Sequence, residues 1–248
     1  LSIFTPCLAE ERILSRDEIP LLSEDSAEAS GLKTLGILQG TERGLELEEN
    51  VTRAQALTMI WRTTASAFDA IGYVQPSFSD IRGHWAEDVI ELFYHAGFVD
   101  GTSISTFEPD REVSGQEFVK IFLTTMGYDG VTLENAYEKG VQSGLLTNNF
   151  TKSVVYHNES LLRSDAARLC FSALTAKTPH GAMLYETLVE SGHYQESDFA
   201  GVLYSVSESP SRQANFVDNL NAQMPETENY MFSPLSIKMA FAMAANGA

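Results

Sequence analysis

The sequence predicts a mostly α fold of three helix-loop-helix repeats, because helix-stop and helix-start signals recur in the same order. A helical apolar pattern ends in glycine at Gly36, Gly97 and Gly144. Glycine adopts the left-handed backbone that closes a helix without steric cost, so each marks a helix stop. A loop and a second helix start follow each stop, at 51–55, 113–117 and 161–165. Equivalent positions lie roughly 50 to 60 residues apart, a spacing typical of repeat architectures.

The second helix of two units begins with a capping box. In this motif a hydroxyl and an acid or amide three residues later satisfy the first free amides of the helix. The matching pairs are Thr52 with Gln55 and Ser114 with Glu117. The third unit has Leu162 at the capping position, so its hydroxyl has to come from elsewhere, with Ser160 as the candidate.

Both helices of each unit carry an apolar stripe at helical spacing, which predicts a buried face. The predicted core positions are Leu57, Ile60, Trp61 and Thr64 in the first unit, Trp85, Val89, Leu92, Phe93, Phe118, Ile121, Phe122 and Met126 in the second, and Leu133, Ala136, Tyr137 and Val141 in the third. One helix pair buries too little apolar area to be stable alone. We therefore expect the three pairs to share a core.

Two motifs carry a family resemblance. The second unit has Phe78, Asp80 and the run Gly83 to Ala86, which reads Gly-His-Trp-Ala, and the first unit has Val51 to Gln55, which reads Val-Thr-Arg-Ala-Gln. In these motifs, over residues 20 to 177, the chain resembles the S-layer homology (SLH) modules of bacterial surface proteins. The resemblance implies a pseudo-threefold helical spindle. It also implies intermodule grooves that bind secondary cell wall polysaccharide, often through a pyruvylated terminal sugar.

The same resemblance indicates the candidate glycan-binding residues. In that family the basic residue at the second helix start contacts the acidic sugar. The matching residues here are Arg53 and Arg163. The alternative is that both side chains are simply solvated or paired with carboxylates. A guanidinium can hold a carboxylate at two points, and we expect the helix start to add amide donors. Gly115 takes this place in the second unit, so one groove is expected to be degenerate. Trp85 is either a core anchor or a wall for a sugar ring, and Asp80 is either a glycan contact or a turn residue.

A second resemblance follows the repeats. The run Asn229 to Ile237, with the small-residue stretch up to Ala248, is similar to the opening of a serpin, a serine protease inhibitor. The similarity covers residues 211–248, which hold neither the reactive loop nor the central sheet of that family. A target protease is therefore expected as a partner of the full-length serpin alone.

The predicted organisation has six segments. The first nine residues look like the tail of a signal peptide, with an ordinary N-terminal strand as the alternative. The segments are 1–9, signal-peptide remnant; 10–72, first repeat; 73–128, second repeat; 129–178, third repeat; 179–210, docking helix and linker; and 211–248, truncated serpin N-terminus.

Composition excludes several function classes. The chain has 34 acidic and 16 basic residues and a net charge of −18, which argues against nucleic acid as a partner. No apolar run reaches the roughly 18 residues of a transmembrane segment. The five histidines lack metal-ligand spacing, and no catalytic triad or phosphate loop is found, so we expect no enzyme activity, metal or cofactor. Cys170 lies on an apolar face, as expected of a buried, inert thiol.

The sequence supports two hypotheses of different classes. The first is a secreted protein held noncovalently at the bacterial cell surface or cell wall, with Arg53 and Arg163 as its main ionic contacts to wall polysaccharide and a serpin on display. The second is a helical scaffold or assembly module without glycan binding, whose activity resides in the serpin body.

Overall fold

The computed structural model describes residues 12–64, 76–157, 159–199 and 202. Over these residues its main elements are one 3-10 turn and eight α-helices, followed by a further helical stretch at 196–199, and there is no β-strand, so the predicted mostly α class is confirmed. The 3-10 turn is Arg16–Glu18, and the helices are α1 Ala27–Thr34, α2 Arg53–Thr64, α3 Glu87–His95, α4 Gly115–Thr125, α5 Ala136–Ser143, α6 Asn149–Tyr156, α7 Arg163–Leu174 and α8 Leu184–Glu190. The predicted signal-peptide and serpin segments lie outside the described residues.

The predicted helix stops and all three second-helix starts are confirmed, since α2, α4 and α7 begin at Arg53, Gly115 and Arg163. Gly36, Gly97 and Gly144 have φ of 71°, 76° and 79°, values that a side chain would resist. Both capping boxes form, since the Gln55 amide donates to Thr52 Oγ1 at 3.3 Å and the Glu117 amide to Ser114 Oγ at 3.2 Å.

The expected cap of the third unit is wrong. Helix α7 has no side-chain cap at Leu162. The hydroxyl of Ser160 donates instead to Glu112 Oε2 at 2.6 Å, and therefore links two units.

A closed ring of three backbone hydrogen bonds lies where the second helices begin. The amide of Val51 donates to the carbonyl of Leu161 at 2.8 Å, that of Leu161 to Val113 at 2.8 Å, and that of Val113 to Val51 at 2.9 Å. All three side chains are buried. Each unit thus donates to one neighbour and accepts from the other, which gives this region a cyclic, approximately threefold arrangement.

The helices follow the same cyclic order. Helix α1 packs on α7, α3 on α2, and α5 on α4, so each first helix packs on the second helix of another pair. Helix α2 also contacts α4 and α7. No pair can therefore bury its apolar stripe by itself, as expected for units that share a core.

Helix α6 breaks the symmetry. The sequence pattern predicted a loop at this place in the third unit, but Asn148 caps a helix by accepting from the Thr151 amide at 3.0 Å. Helix α6 contacts both α4 and α7, and so lies between the second helices of the second and third pairs.

Segments at both ends of the described chain pack against the helix pairs. Near the N-terminus, the Leu14 amide donates to Ser153 Oγ at 2.8 Å, and Arg16 pairs with buried Asp165 on α7. Near the C-terminus, α8 packs on α7. The Tyr194 hydroxyl donates to the Leu35 carbonyl at 3.0 Å, at the end of α1.

The core differs from the predicted stripes at four positions. Trp61, Trp85, Leu133 and Val141 are exposed, so their predicted burial is wrong. Trp85 precedes helix α3, whose buried face is formed by Ile90 and Phe93 instead. The predicted face of α4 and the burial of Cys170 are confirmed, and burial raises the pKa of that thiol to about 12.

The burial of side chains beside the ring predicts a large loss of stability on truncation of Leu161. Leu161→Ala removes a side chain that is 1% exposed, and we expect it to lower the free energy of unfolding by about 2 to 5 kcal/mol in urea denaturation. The matched control is Leu21→Ala, at a side chain that is 44% exposed, with an expected cost below about 1 kcal/mol. Equal costs at the two positions would show that burial of the Leu161 side chain beside the ring contributes no special stability.

Candidate functional site

Arg53 is a buried cross-link between the first two helix pairs. Its residue is 8% exposed. Its Nε donates to the carbonyl of Phe107 and its Nη2 to that of Asp100, both at 3.1 Å. The guanidinium carbon lies 4.3 Å from the centre of the Phe107 ring. The remaining nitrogen, Nη1, lies 3.8 Å from Glu117 Oε1, so only this part of the group faces a charged partner.

Arg111 binds the carboxylate of Glu117 with both ends of its fork. Its Nη2 donates to Glu117 Oε1 at 2.6 Å and its Nη1 to Oε2 at 3.3 Å. Its Nε lies 3.5 Å from Glu108 Oε2. The side chain of Arg111 is 40% exposed and that of Glu117 is 21% exposed. Arg53 and Arg111 thus meet at one carboxylate, one from the buried side and one from the solvent side.

A cavity of about 240 Å³ lies beside this carboxylate, and we call it the Arg53 cavity. Its charged lining residues are Arg53, Asp100, Arg111, Glu117 and Lys120. Cations outnumber carboxylates in this lining, although carboxylates dominate the whole chain. The volume is below the roughly 300–1,000 Å³ of typical ligand pockets, so the cavity suits only a small chemical group.

The helix start does not supply free amide donors to this cavity. The Arg53 amide donates to the Arg111 carbonyl at 2.8 Å, and the Ala54 amide donates to the Pro109 carbonyl at 2.9 Å. The Gln55 amide donates to Thr52 Oγ1. The expectation that amides at the start of α2 would help bind an anion is therefore wrong, because the neighbouring unit and the cap already occupy them.

Arg163 occupies the equivalent place between the third and first pairs, which we call the Arg163 junction. Its Nη2 donates to the Gln39 carbonyl at 2.7 Å, as Arg53 does to Asp100. Its Nε is buried and has no hydrogen-bond partner. Burial lowers the pKa of Arg163, while the nearby carboxylate of Glu46 raises it. The charge of Arg163 in turn adds to burial in lowering the pKa of Arg62.

The third junction is filled by protein. Gly115 stands where the other units have arginine, and a Cβ added to it would lie 2.8 Å from the Val154 carbonyl oxygen and 3.1 Å from the Val155 Cα. Both neighbours belong to α6. At this junction the backbone of α6 therefore occupies the space that a side chain on residue 115 would need.

The other two candidates lie apart from the Arg53 cavity. Trp85 is 63% exposed and packs against His84, with ring centres 5.4 Å apart, so the core-anchor interpretation is wrong. Asp80 accepts from the Phe107 amide at 2.9 Å and from the Glu108 amide at 2.7 Å, as a turn residue does. Neither side chain is among the cavity-lining residues.

Sequence reasoning missed the contribution of Arg111 and Lys120 to the cavity. Arg111 lies in a loop without a recognisable motif, and Lys120 lies one turn into α4. Both reach the cavity only through the packing of the first pair on the second. Sequence reasoning also treated Glu117 as a cap alone, whereas it caps α4 and pairs with Arg111.

The described residues offer no site for metal chemistry, since no cluster of three or more His, Cys, Asp or Glu could hold an ion there. Over the same ranges, every helix is too short or too polar to cross a bilayer.

Comparisons with known proteins match this part of the chain. Residues 77–119 match the family model of the S-layer homology domain, so the chain contains such a domain there. The match includes much of the cavity lining, from Phe98 to Thr102 together with Arg111 and Glu117. The domain associates the chain with anchoring at the cell surface or cell wall in general.

A curated relative agrees with this location. The chain is similar to "Cell surface glycoprotein 1" of Acetivibrio thermocellus, at 27% identity over 95 residues. The alignment covers 35% of this chain and 4% of that glycoprotein. The similarity therefore concerns a small part of a much longer protein.

The close packing of α6 on Gly115 predicts that a methyl group added at this residue destabilises the fold. Alanine is normally better than glycine in a helix by about 1 kcal/mol, but Gly115→Ala would press on the backbone of α6. We expect it to lower the free energy of unfolding by about 1 to 3 kcal/mol, measured by urea denaturation. A stabilised variant would mean that α6 does not pack closely on Gly115.

The lowered pKa of Glu117 predicts that the stability of the fold depends on pH. Burial acts to raise its pKa, but hydrogen bonds from Arg111 and the Ser114 amide, with the charges of Arg111 and Arg53, lower the pKa overall. A lowered pKa in the folded state stabilises the fold above the ordinary value of 4.5, and this contribution is lost as the pH falls below it. Glu117→Gln should therefore be less stable than wild type near neutral pH, with a difference that narrows in acid denaturation series. A pH-independent difference would contradict this.

Proposed function

We propose that the chain anchors a secreted protein noncovalently to the bacterial cell wall by binding secondary cell wall polysaccharide. The anchor has no enzymatic step and needs no cofactor. The observation that carries the proposal is the overlap of the Arg53 cavity with the S-layer homology domain at 77–119. The terminal sugar of the polysaccharide, pyruvylated in our hypothesis, enters this cavity.

The charge distribution supports an acidic ligand. The carboxylate of Glu117 already lies between Arg53 and Arg111, and this arrangement supports an acidic ligand at the same place. Guanidinium pairs are suited to carboxylates because the planar fork offers two parallel donors. The net charge of −18 repels an anionic polymer at long range. We therefore expect binding to be slow at low salt, where this repulsion is least screened.

The Arg163 junction is the second proposed site. Its guanidinium makes the same bridge to a neighbouring unit, and its buried Nε has no partner within the protein. An unsatisfied buried donor is costly, and a ligand oxygen or water would relieve that cost. We propose Trp85 as an exposed platform for a more distant sugar of the same polymer. Asp80 contributes indirectly, because it holds the loop that carries Phe107.

The anchored cargo is proposed to be a serpin-type protease inhibitor. This rests on the run Asn229 to Ile237 in the sequence, which lies outside the described residues. Binding of a target protease belongs to the full-length serpin in this proposal. The polar stretch Ser205 to Ser211 would serve as the tether between anchor and inhibitor.

A scaffold without glycan binding is the second candidate. It is favoured by the extent to which Arg53 is used inside the protein, with two carbonyl partners and an aromatic ring. The filled junction at Gly115 favours it as well. In this case the helix pairs would hold the chain in an assembly, and the serpin body would carry the activity.

The test is cosedimentation of the 248-residue chain with purified bacterial cell walls, before and after chemical removal of their secondary polysaccharide. We expect binding that disappears with the polysaccharide. Arg53→Ala combined with Arg163→Ala should reduce it at least about tenfold, the usual effect of losing charge-assisted hydrogen bonds. The matched control is Arg12→Ala combined with Lys33→Ala, at two exposed side chains that line neither proposed site.

The outcomes separate three cases. Binding that survives removal of the polysaccharide would contradict the proposed ligand. Polysaccharide-dependent binding that survives the loss of both arginines would leave the anchor standing and overturn the site assignment. No binding to walls from several bacterial hosts would favour the scaffold. Circular dichroism of the double variant is needed as well, because Arg53 also supports the fold.

A further inference from the structure

Two arginines line the Arg53 cavity, and their surroundings differ. Arg53 is almost fully buried, and two of its three nitrogens donate to backbone carbonyls. Arg111 is 40% exposed, and its contacts are mainly to the carboxylates of Glu117 and Glu108. Moving Arg53 would break contacts that hold two helix pairs together. Moving Arg111 would exchange one carboxylate for another, so Arg111 is the arginine that can be redirected to a ligand.

Glu117 performs two tasks that the chain itself separates. It caps α4, because its Oε2 accepts from the Ser114 amide at 3.0 Å. Gln55 does the same in the first unit, where its Oε1 accepts from the Thr52 amide at 3.1 Å. A neutral amide is therefore sufficient for the cap. The negative charge of Glu117 is needed only for its second task, the pair with Arg111.

The pair is the basis for the proposed ligand chemistry. Both oxygens of Glu117 bind the fork of Arg111, at 2.6 and 3.3 Å, and Nη1 of Arg53 lies 3.8 Å from the same carboxylate. Two guanidinium groups thus surround a planar carboxylate at the edge of a cavity whose lining also includes Lys120. A carboxylate carried by a sugar could make the same contacts from the cavity side.

We infer that Glu117 is a built-in competitor for the ligand carboxylate, and that Arg111 binds that carboxylate by exchange while Arg53 stays fixed in the fold with its Nη1 facing the same position. This inference rests on the proposed function. Affinity then depends on how much more strongly Arg111 binds the ligand carboxylate than it binds the carboxylate of Glu117. A neutral sugar cannot replace the carboxylate, so the exchange selects glycans with an acidic terminal group over neutral ones.

The experiment measures binding of the chain to purified wall polysaccharide that carries carboxylate sugars, by isothermal titration calorimetry. Glu117→Gln keeps the cap and removes the competing charge, and we expect binding about threefold to tenfold tighter than wild type. Arg111→Gln should weaken binding by about tenfold, and Arg111→Lys should restore part of the loss. In Glu117→Gln combined with Arg111→Gln, the gain from the first substitution should disappear.

The N-terminal segment offers matched controls. Ser15 and Glu18 form a capping box, and Glu18 pairs with Arg12, so the arrangement repeats that of Ser114, Glu117 and Arg111. Arg12 and Glu18 do not line the Arg53 cavity. Glu18→Gln and Arg12→Gln change the net charge by the same amounts and should leave affinity within about twofold of wild type, as expected for exposed ion pairs.

A second ligand distinguishes exchange from a change in stability. Reduction of the sugar carboxylates to alcohols should abolish the difference between wild type and Glu117→Gln, because no charge is left to exchange. If wild type binds the acidic polysaccharide but Glu117→Gln does not bind it more tightly, the inference is overturned and the anchor stands. If the difference persists on the reduced polysaccharide, the inference is overturned as well. If wild type does not bind either form, the proposed function fails and the inference with it.

Discussion

The ring of hydrogen bonds among Val51, Val113 and Leu161 is the constraint on which the rest of the structure depends. Each amide and each carbonyl in it is satisfied by another unit, so none of the three units can complete its own backbone hydrogen bonding. The ring also fixes where the second helices start relative to one another. The positions of Arg53, Gly115 and Arg163, two residues after the ring members, follow directly from it.

Arginine side chains extend this cross-linking outward. Arg53 and Arg163 each reach a carbonyl in the segment after another unit's first helix, and Arg168 reaches the Pro20 carbonyl in the N-terminal segment. Burying a guanidinium is costly unless hydrogen bonds replace its water. Backbone carbonyls provide part of this replacement, and the carboxylates of Glu117 and Asp165 add to it for Arg53 and Arg168. The arginines at the start of the second helix therefore use hydrogen-bond donors to support the fold. A ligand can bind only the donors that are not used in this way.

Local signals in the sequence predicted the helix ends. The features that the sequence could not predict are those that tertiary packing determines. The stops at Gly36 and Gly97 and the box at Ser114 depend on neighbours within four residues, so single-sequence reasoning finds them. The exposure of Trp85 depends on where α3 begins, because Trp85 precedes the helix and does not share its buried face. The recruitment of Arg111 to the Arg53 cavity depends on the neighbouring pair. Helix α6 depends on contacts with both α4 and α7, and its apolar pattern was too short to predict.

The cyclic packing order has a consequence for how such a fold can change in evolution. A linear array of repeats can gain or lose a repeat at either end, because each repeat contacts only its neighbours. Here α1 packs on α7, so the described helix pairs form a ring without a terminal pair. Loss of one pair would leave a donor and an acceptor of the ring without partners, and a fourth pair would have no place in a triangle of three bonds. The number of helix pairs in this ring is therefore fixed by geometry, and sequence divergence within each pair is the route that stays open.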